Sequence, residues 1–349
     1  MTDGTAQIMT RAEYEAEERG RLSARAAFSG DTRGRERASA PDPYRTEYQR
    51  DRDRIIHCKS FRRLSHKTQV FLAPEGDHYR TRLTHTLEVS QIARTVARAL
   101  RLNEDLTEAV ALGHDLGHTP FGHIGEAALS DALEAVRAEH PRAPWPFKHN
   151  VQSLRIVESL EYEGKGLNLT REVRDGIVCH TGKRRAATLE GQIVAIADRV
   201  AYVNHDIDDA IRGGILTEGD LPRAATDVLG HTHNQRITTM VTSLVETTAT
   251  SAEVMMEERV YKALMDLRAF LFDNVYLSPN AKAEEPKAYG VVVTLFNHYL
   301  THPEALPVDE RPASSEDLVV AVTDYVSGMT DRFAIRTYEQ LMIPGRWRV

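Results

Sequence analysis

Cysteine is almost missing from this chain: Cys58 and Cys179 are the only two in 349 residues. Two thiols cannot build a disulfide framework or a multi-thiolate zinc site, and their settings suit buried helical positions in a reducing compartment, so a cytoplasmic protein is expected. A basic excess is missing too. Lys and Arg number 44 against 51 Asp and Glu, a formal net charge of −7, so no global positive field attracts polyanions, and phosphate recognition falls to local clusters of Arg, Lys and His. Long apolar runs are lacking, and the first twenty residues (MTDGTAQIMTRAEYEAEERG) are charged, without the apolar stretch of a secretion signal. Neither secretion nor a membrane span is therefore expected. Alternating apolar and polar residues, the mark of half-buried strands, are scarce apart from short apolar runs such as 291–295. The chain reads as all-α.

What is present is the balance of a globular protein, 41% hydrophobic and 27% charged. Its length allows two domains, or one large helical domain with a terminal extension. Residues 1–44 mix acidic and basic groups and end in GDTRGRERASAPDP, which reads as a helical or flexible arm and a linker. From Tyr44 onward Arg and Lys crowd around short apolar clusters, the pattern of either a solvated helix face or a polyanion-facing segment. Helical periodicity then dominates. Leu83, Leu87, Ile92, Val96 and Leu100 form one stripe, Asn103 is placed to cap the next helix, and further helices are expected near 123–139, 148–163, 170–180 and 186–212. Beyond 212, stretches such as RITTMVTSLVETTAT carry apolar stripes suited to core or subunit packing.

The densest chemistry lies in ALGHDLGHTPFGHIGE, where His114, Asp115, His118, His123 and Glu126 fall within sixteen residues. Stability alone does not explain it, because a buried His or Asp without a partner costs several kcal/mol and Leu or Ala would fill the space better. A metal supplies the missing partner. Imidazole together with carboxylate suits Mn, Fe, Co, Ni or Zn, whereas Mg prefers oxygen. Adjacent His and Asp reach one ion only if their helix points at it end-on or obliquely, so other helices must complete the shell. His85, polar on an otherwise apolar helix, and Asp198, a carboxylate inside IVAIADRVAY, are the candidates. On the same helix as Asp198, the four-residue steps to Tyr202 and Asp206 make a stripe. His123 and Glu126, three apart, share a face on which the carboxylate can orient the imidazole.

The order His85, His114-Asp115, Asp198 resembles the H…HD…D pattern of HD-superfamily hydrolases. FRRLSHKTQVF, THTLEVSQIAR, GHDLGHTPFGHIGE, FKHN and ADRVAYVNHDIDDAI resemble segments of the dGTPase family of dNTP triphosphohydrolases, and of the mammalian SAM-and-HD-domain dNTP hydrolase. The resemblance implies an HD-domain helical core over 45–212, preceded by the 1–44 arm and followed by a 213–349 helical region packed on it. It implies metal-dependent hydrolysis of deoxynucleoside triphosphates to deoxynucleoside and inorganic triphosphate. His85, His114, Asp115 and Asp198 would hold one divalent transition metal, with Mg arriving on the triphosphate. His123 and Glu126 would be the catalytic pair, His123 protonating the leaving 5′-oxygen. His118, His149, Arg82 and Arg199 would contact phosphates, Tyr202 would stack on a ring or contact phosphate, Asp206 would accept from the 3′-hydroxyl, and Gln69 would be the second contact to that hydroxyl. Homo-oligomers are implied, with room for a nucleotide effector or single-stranded DNA. His180 matches a family segment without a role, and His57, His66, His78, His205, His231 and His233 read as ordinary polar residues. The rival readings are an HD-type nucleoside monophosphatase or cyclic-nucleotide phosphodiesterase, which needs fewer phosphate clamps, and a nucleotide-binding regulator without turnover, which needs no proton donor.

Overall fold

The computed structural model describes residues 8–69, 80–276, 279–312 and 317–344; His78 lies outside them. Among the described residues the all-α class holds: no strand forms, and an isolated bridge joins Thr68 to Thr81. Helices α1 (Arg11–Arg21), α2 (Glu47–His57) and α3 (Lys59–Arg63) precede α4 (Arg82–Ala99) and α5 (Glu104–Gly113). Then come α6 (Gly122–Val136), α7 (His149–Arg155), a single turn α8 (Glu161–Gly164), α9 (Arg171–Cys179) and the long α10 (Leu189–Arg212). The remainder is α11 (Arg223–Leu229), α12 (His233–Thr250), α13 (Glu258–Leu271), α14 (Pro279–Thr301), α15 (Leu318–Ser327) and α16 (Asp331–Met342).

The helices that carry the candidate ligands start at side-chain caps. Thr81 accepts from Thr84 N, Asn103 from Leu106 N as expected, and Thr188 from Gly191 N, each satisfying an amide that the first turn leaves open. Against expectation, Leu87 on α4 is 52% exposed. The buried stripe is instead Val89, Ile92, Ala93, Val96 and Ala97 in line with His85; Leu87, two residues from His85, points about 200° away around the helix.

Two apolar cores position the site. The first joins α2, α4, α5, α9 and α10 through residues such as Ile55, Val96, Val110, Ile177 and Val200, and α10 packs against α4, α5 and α9. The second joins α6 to α14, α15 and α16 through Leu129, Leu133, Phe296, Val322 and Ala334. Between α5 and α6, Leu116 belongs to the first core and Phe121 to the second, so the loop that carries His118 is pinned at both ends.

Residues before α2 lie along the first core. Buried Glu18 accepts from Ser29 and Asn103, and buried Arg35 bridges Glu47 and Asp51. Much of the Arg density after Tyr44 has partners inside the chain: Arg45 pairs with Asp42 and Asp53, Arg52 with Glu108, and Arg54 donates to the carbonyls of Leu167 and Asn168. No helix among the described residues is long and apolar enough to cross a membrane.

Candidate active site

His114 and Asp115 sit at the C-terminal end of α5, His114 as its C-cap. His114 Nδ1 lies 2.6 Å from the Ala111 carbonyl, which turns Nε2 inward. That Nε2 is buried and has no hydrogen-bond partner. Asp115 Oδ1 lies 3.4 Å from it, and Asp198 Oδ1, from the middle of α10, 3.8 Å. His85, from the first turns of α4, completes the set: its Nε2 lies 3.1 Å from Asp198 Oδ1 and 3.9 Å from Asp115 Oδ2. Four side chains from three helices thus converge on one buried point.

The charges at that point set one another's protonation. Burial works against a charged His85, but hydrogen bonding and attraction to Asp198 outweigh it and raise its pKa. Burial likewise disfavours the Asp198 carboxylate, and the His85 bond with the nearby His114 holds it well below the usual range. Asp115 is depressed in the same way, burial being overcome by His114, His118 and Arg82. The site is built for anions that stay ionised beside imidazoles.

The residues expected to surround a substrate are brought to the same place. Arg82 Nη1 lies 2.9 Å from Asp115 Oδ2 with both groups buried, and His118 Nε2 lies 3.2 Å from Asp115 Oδ1. The His118 ring stacks on His149, centroids 3.9 Å apart. Burial and then Arg82 hold His118 far below its ordinary pKa. The close fit depends on Gly117: a Cβ there would stand 2.2 Å from Ser153 N and 2.3 Å from His149 O, so only glycine lets α7 approach this turn. Glu126 divides unequally between two histidines. Its Oε2 is 2.8 Å from His149 Nδ1 and 3.9 Å from His123 Nδ1. Burial opposes a charged His149, but Glu126 outweighs it and raises its pKa. The His123 side chain is 65% exposed, at the mouth of the site.

Of the remaining expected residues, Gln69 is buried with its Oε1 lacking a partner, and Tyr202 is half-buried one turn after Asp198. Asp206 is buried, its Oδ1 2.7 Å from His205 Nδ1. Arg199 points elsewhere. It lines a cavity of about 550 Å³ together with Lys183, Arg184, Arg185 and Tyr261, and none of the cluster's own side chains lines that cavity.

Three residues have structural roles that the linear reading missed. His205 is wholly buried, and its Nε2 lies 2.8 Å from His85 Nδ1. The signal was available: His205 follows Asp198 by seven residues, two helical turns, and so shares its face. His180 lies against His114, ring centroids 4.9 Å apart, with its Nε2 3.2 Å from His149 Nε2; burial, then His114, drives its pKa down to about 3. Lys67 is buried, its Nζ donating to the carbonyls of His118 and Ser327, and desolvation pulls its pKa down to about 7. No spacing rule links Lys67 to a turn fifty residues later.

The donor set fits a divalent cation. His85, His114 and Asp115 each offer a ligand atom within 4.8 Å of the others, and the orphaned His114 Nε2 is the kind of buried lone pair that a cation satisfies. With two imidazoles and two carboxylates, the chemistry favours a transition metal over Mg.

Comparison with known proteins agrees with this geometry. The HD domain model matches residues 82–203, and the phosphohydrolase-associated domain model matches 254–340. A deoxyguanosinetriphosphate triphosphohydrolase-like protein of Caldanaerobacter subterraneus subsp. tengcongensis is 53% identical over 327 residues, covering 93% of this chain and 94% of the relative. Proteins of the same description are similar in Clostridium perfringens (48% identity; 94% of this chain, 96% of the relative) and Desulfatibacillum aliphaticivorans (44%; 96% and 98%).

Proposed function

The chain belongs to the HD-domain family of deoxyguanosinetriphosphate triphosphohydrolase-like proteins, metal-dependent phosphohydrolases, and from that premise we propose that it hydrolyses deoxynucleoside triphosphates to deoxynucleoside and inorganic triphosphate. The observation that carries this reading is the convergence of His85, His114, Asp115 and Asp198 next to an unusual density of groups able to receive phosphate. A divalent cation bound by those four would supply Lewis acidity and neutralise charge on the α-phosphate. Arg82, fixed by Asp115, and His118 stand beside that position to bind phosphate oxygens. His149, oriented by Glu126, lines the same wall. His123, exposed at the mouth, is placed to hand a proton to the departing 5′-oxygen. A triphosphate would arrive with Mg, which prefers oxygen ligands. Tyr202, Asp206 and Gln69 would hold the sugar. The metal-loaded protein is incubated with each dNTP singly and with all four together, and products are identified by mass. Triphosphate and deoxynucleoside are expected. Turnover in the mixture alone would add a nucleotide effector, and orthophosphate released from a monophosphate would replace this reading with the monophosphatase one.

A further inference from the structure

The segment 118–122, which begins with His118 and leads into His123, is held at both ends by groups from distant parts of the chain. At its start, Lys67 Nζ donates to the His118 carbonyl and also to the Ser327 carbonyl, 2.9 Å away. Ser327 is the last residue of α15, where helix carbonyls lack partners of their own. At its end, Asp331 Oδ1 accepts from Phe121 N at 3.0 Å, while Oδ2 accepts from Thr68 N at 2.9 Å. Lys67 and Asp331 are both buried. Phe121 is the residue before α6, and its own side chain gives that helix no cap. The Asp331 carboxylate, from the first turn of α16, stands there instead, a favourable charge beside a helix N-terminus.

The backbone held in this way is one that would not hold itself. Phe121 has φ 62°, a left-handed conformation that is costly for a residue with a Cβ. Gly122 follows at φ +60°, and a Cβ on it would stand 2.8 Å from Arg82 Nη2. Such a path persists only where its surroundings impose it. The His123 side chain is exposed, with the Glu126 carboxylate 3.9 Å off, so its placement follows from the backbone at the start of α6. We propose that Lys67 and Asp331 are positioning residues, through which α15 and α16 set His118 and His123 for the reaction. The proposal rests on the phosphohydrolase reading for what those histidines do, but not for how their backbone is held.

Asp331→Asn keeps the size of the side chain but turns an amide hydrogen toward a backbone N–H, and Lys67→Met keeps the stem without its hydrogens. Val319→Ala is the control. It loosens the second core from the far end of α15, about 12 Å along the helix from Ser327, and leaves both residues in place. Mn(II) bound per chain is expected to be the same in all three variants and the unaltered protein. With a dNTP, kcat should fall about 100-fold in Asp331→Asn and Lys67→Met, as when reacting groups are misplaced by about 1 Å, and hold in Val319→Ala. Bis(4-nitrophenyl) phosphate has no β- or γ-phosphate for His118, and its phenol leaves without a proton from His123. The two variants should therefore keep their rate on it, whereas a merely weakened fold loses both rates alike. Deuterium uptake over residues 117–124 reads the backbone with no substrate present, and it should rise in the two variants and not in the control. Unaltered uptake in Asp331→Asn, or equal losses on the two substrates, would overturn the proposal. Should Lys67→Met not fold, Asp331→Asn decides. If the unaltered protein hydrolyses no dNTP, the functional reading fails separately, and uptake alone decides whether Lys67 and Asp331 hold the segment.

Discussion

Oε2 of Glu126 approaches Nδ1 of His149 to 2.8 Å and leaves Nδ1 of His123 at 3.9 Å. The carboxylate therefore acts first on His149, holding its ring and tautomer, and only at longer range on His123. Glu126→Gln is expected to lower kcat about 10–100-fold, the usual cost of removing a carboxylate behind a functional histidine. His123→Ala should lower kcat by about 100- to 10,000-fold, as loss of a general acid does, while the protein keeps its metal. Steady-state kinetics with metal analysis of both variants checks this; a Glu126→Gln protein with unaltered kcat would contradict it.

His205 stands directly behind His85, Nε2 to Nδ1 at 2.8 Å, with Asp206 Oδ1 2.7 Å from its other nitrogen. The Asp206 contact is bent away from ideal hydrogen-bond geometry, yet a carboxylate that close to a ring nitrogen is tolerated only when the nitrogen carries hydrogen. His205 Nε2 is then the acceptor and His85 Nδ1 the donor, so His85 Nε2 shares a proton with Asp198 when no metal is bound and would offer its lone pair when one is. His205→Ala is expected to weaken metal binding about 10–100-fold, read by titration calorimetry. Unchanged affinity would mean that His85 orients itself.

Acidity should oppose the metal in a defined direction. Without metal, His85 has a raised pKa because Asp198 holds its proton. That pair stabilises the metal-free fold fully below the unfolded value near 6.5, and the contribution is lost as pH rises through the raised folded value. Metal must displace the same proton, so apparent affinity falls as pH drops through that raised pKa. The gain in Tm from a fixed Mn(II) concentration should be larger at about pH 8.5 than at about pH 6. An equal or larger gain at the lower pH runs against the His85 assignment.

Gly117→Ala places a methyl group where the backbone of α7 already stands, 2.2 Å from Ser153 N. Backbone cannot swing aside as a side chain can, so the cost should reach or exceed the 1–3 kcal/mol typical of overpacking, about 3 kcal/mol. Urea denaturation measures it. The same variant should lose activity under conditions where it remains folded, because His118 and His149 can no longer stack.

The helical class and the main helices after residue 80 were legible because buried stripes repeat at the helical period and Asn103 supplies a capping side chain. The His114-Asp115 pair announced itself by density, and His85 and Asp198 by polarity within apolar runs. Family resemblance then joined four residues that no local spacing connects. What the linear pattern hid was direction. Leu87 looked like part of a stripe that in fact turns away from it, and Arg199 is the chain neighbour of Asp198 yet faces a cavity that none of the cluster's side chains lines. His205 and His180 looked ordinary because their partners, His85 and His149, lie 120 and 31 residues away. Contacts of that kind arise from tertiary packing and leave no periodicity to read.

The account rests on a cation between α4, the end of α5 and α10. Crystals of the Mn(II)-loaded protein, measured at the Mn absorption edge, test it most directly. An anomalous peak at about 2.0–2.3 Å from His85 Nε2, His114 Nε2 and the carboxylates of Asp115 and Asp198 is the predicted result. Absence of any peak there in crystals of protein that hydrolyses dNTPs would contradict it.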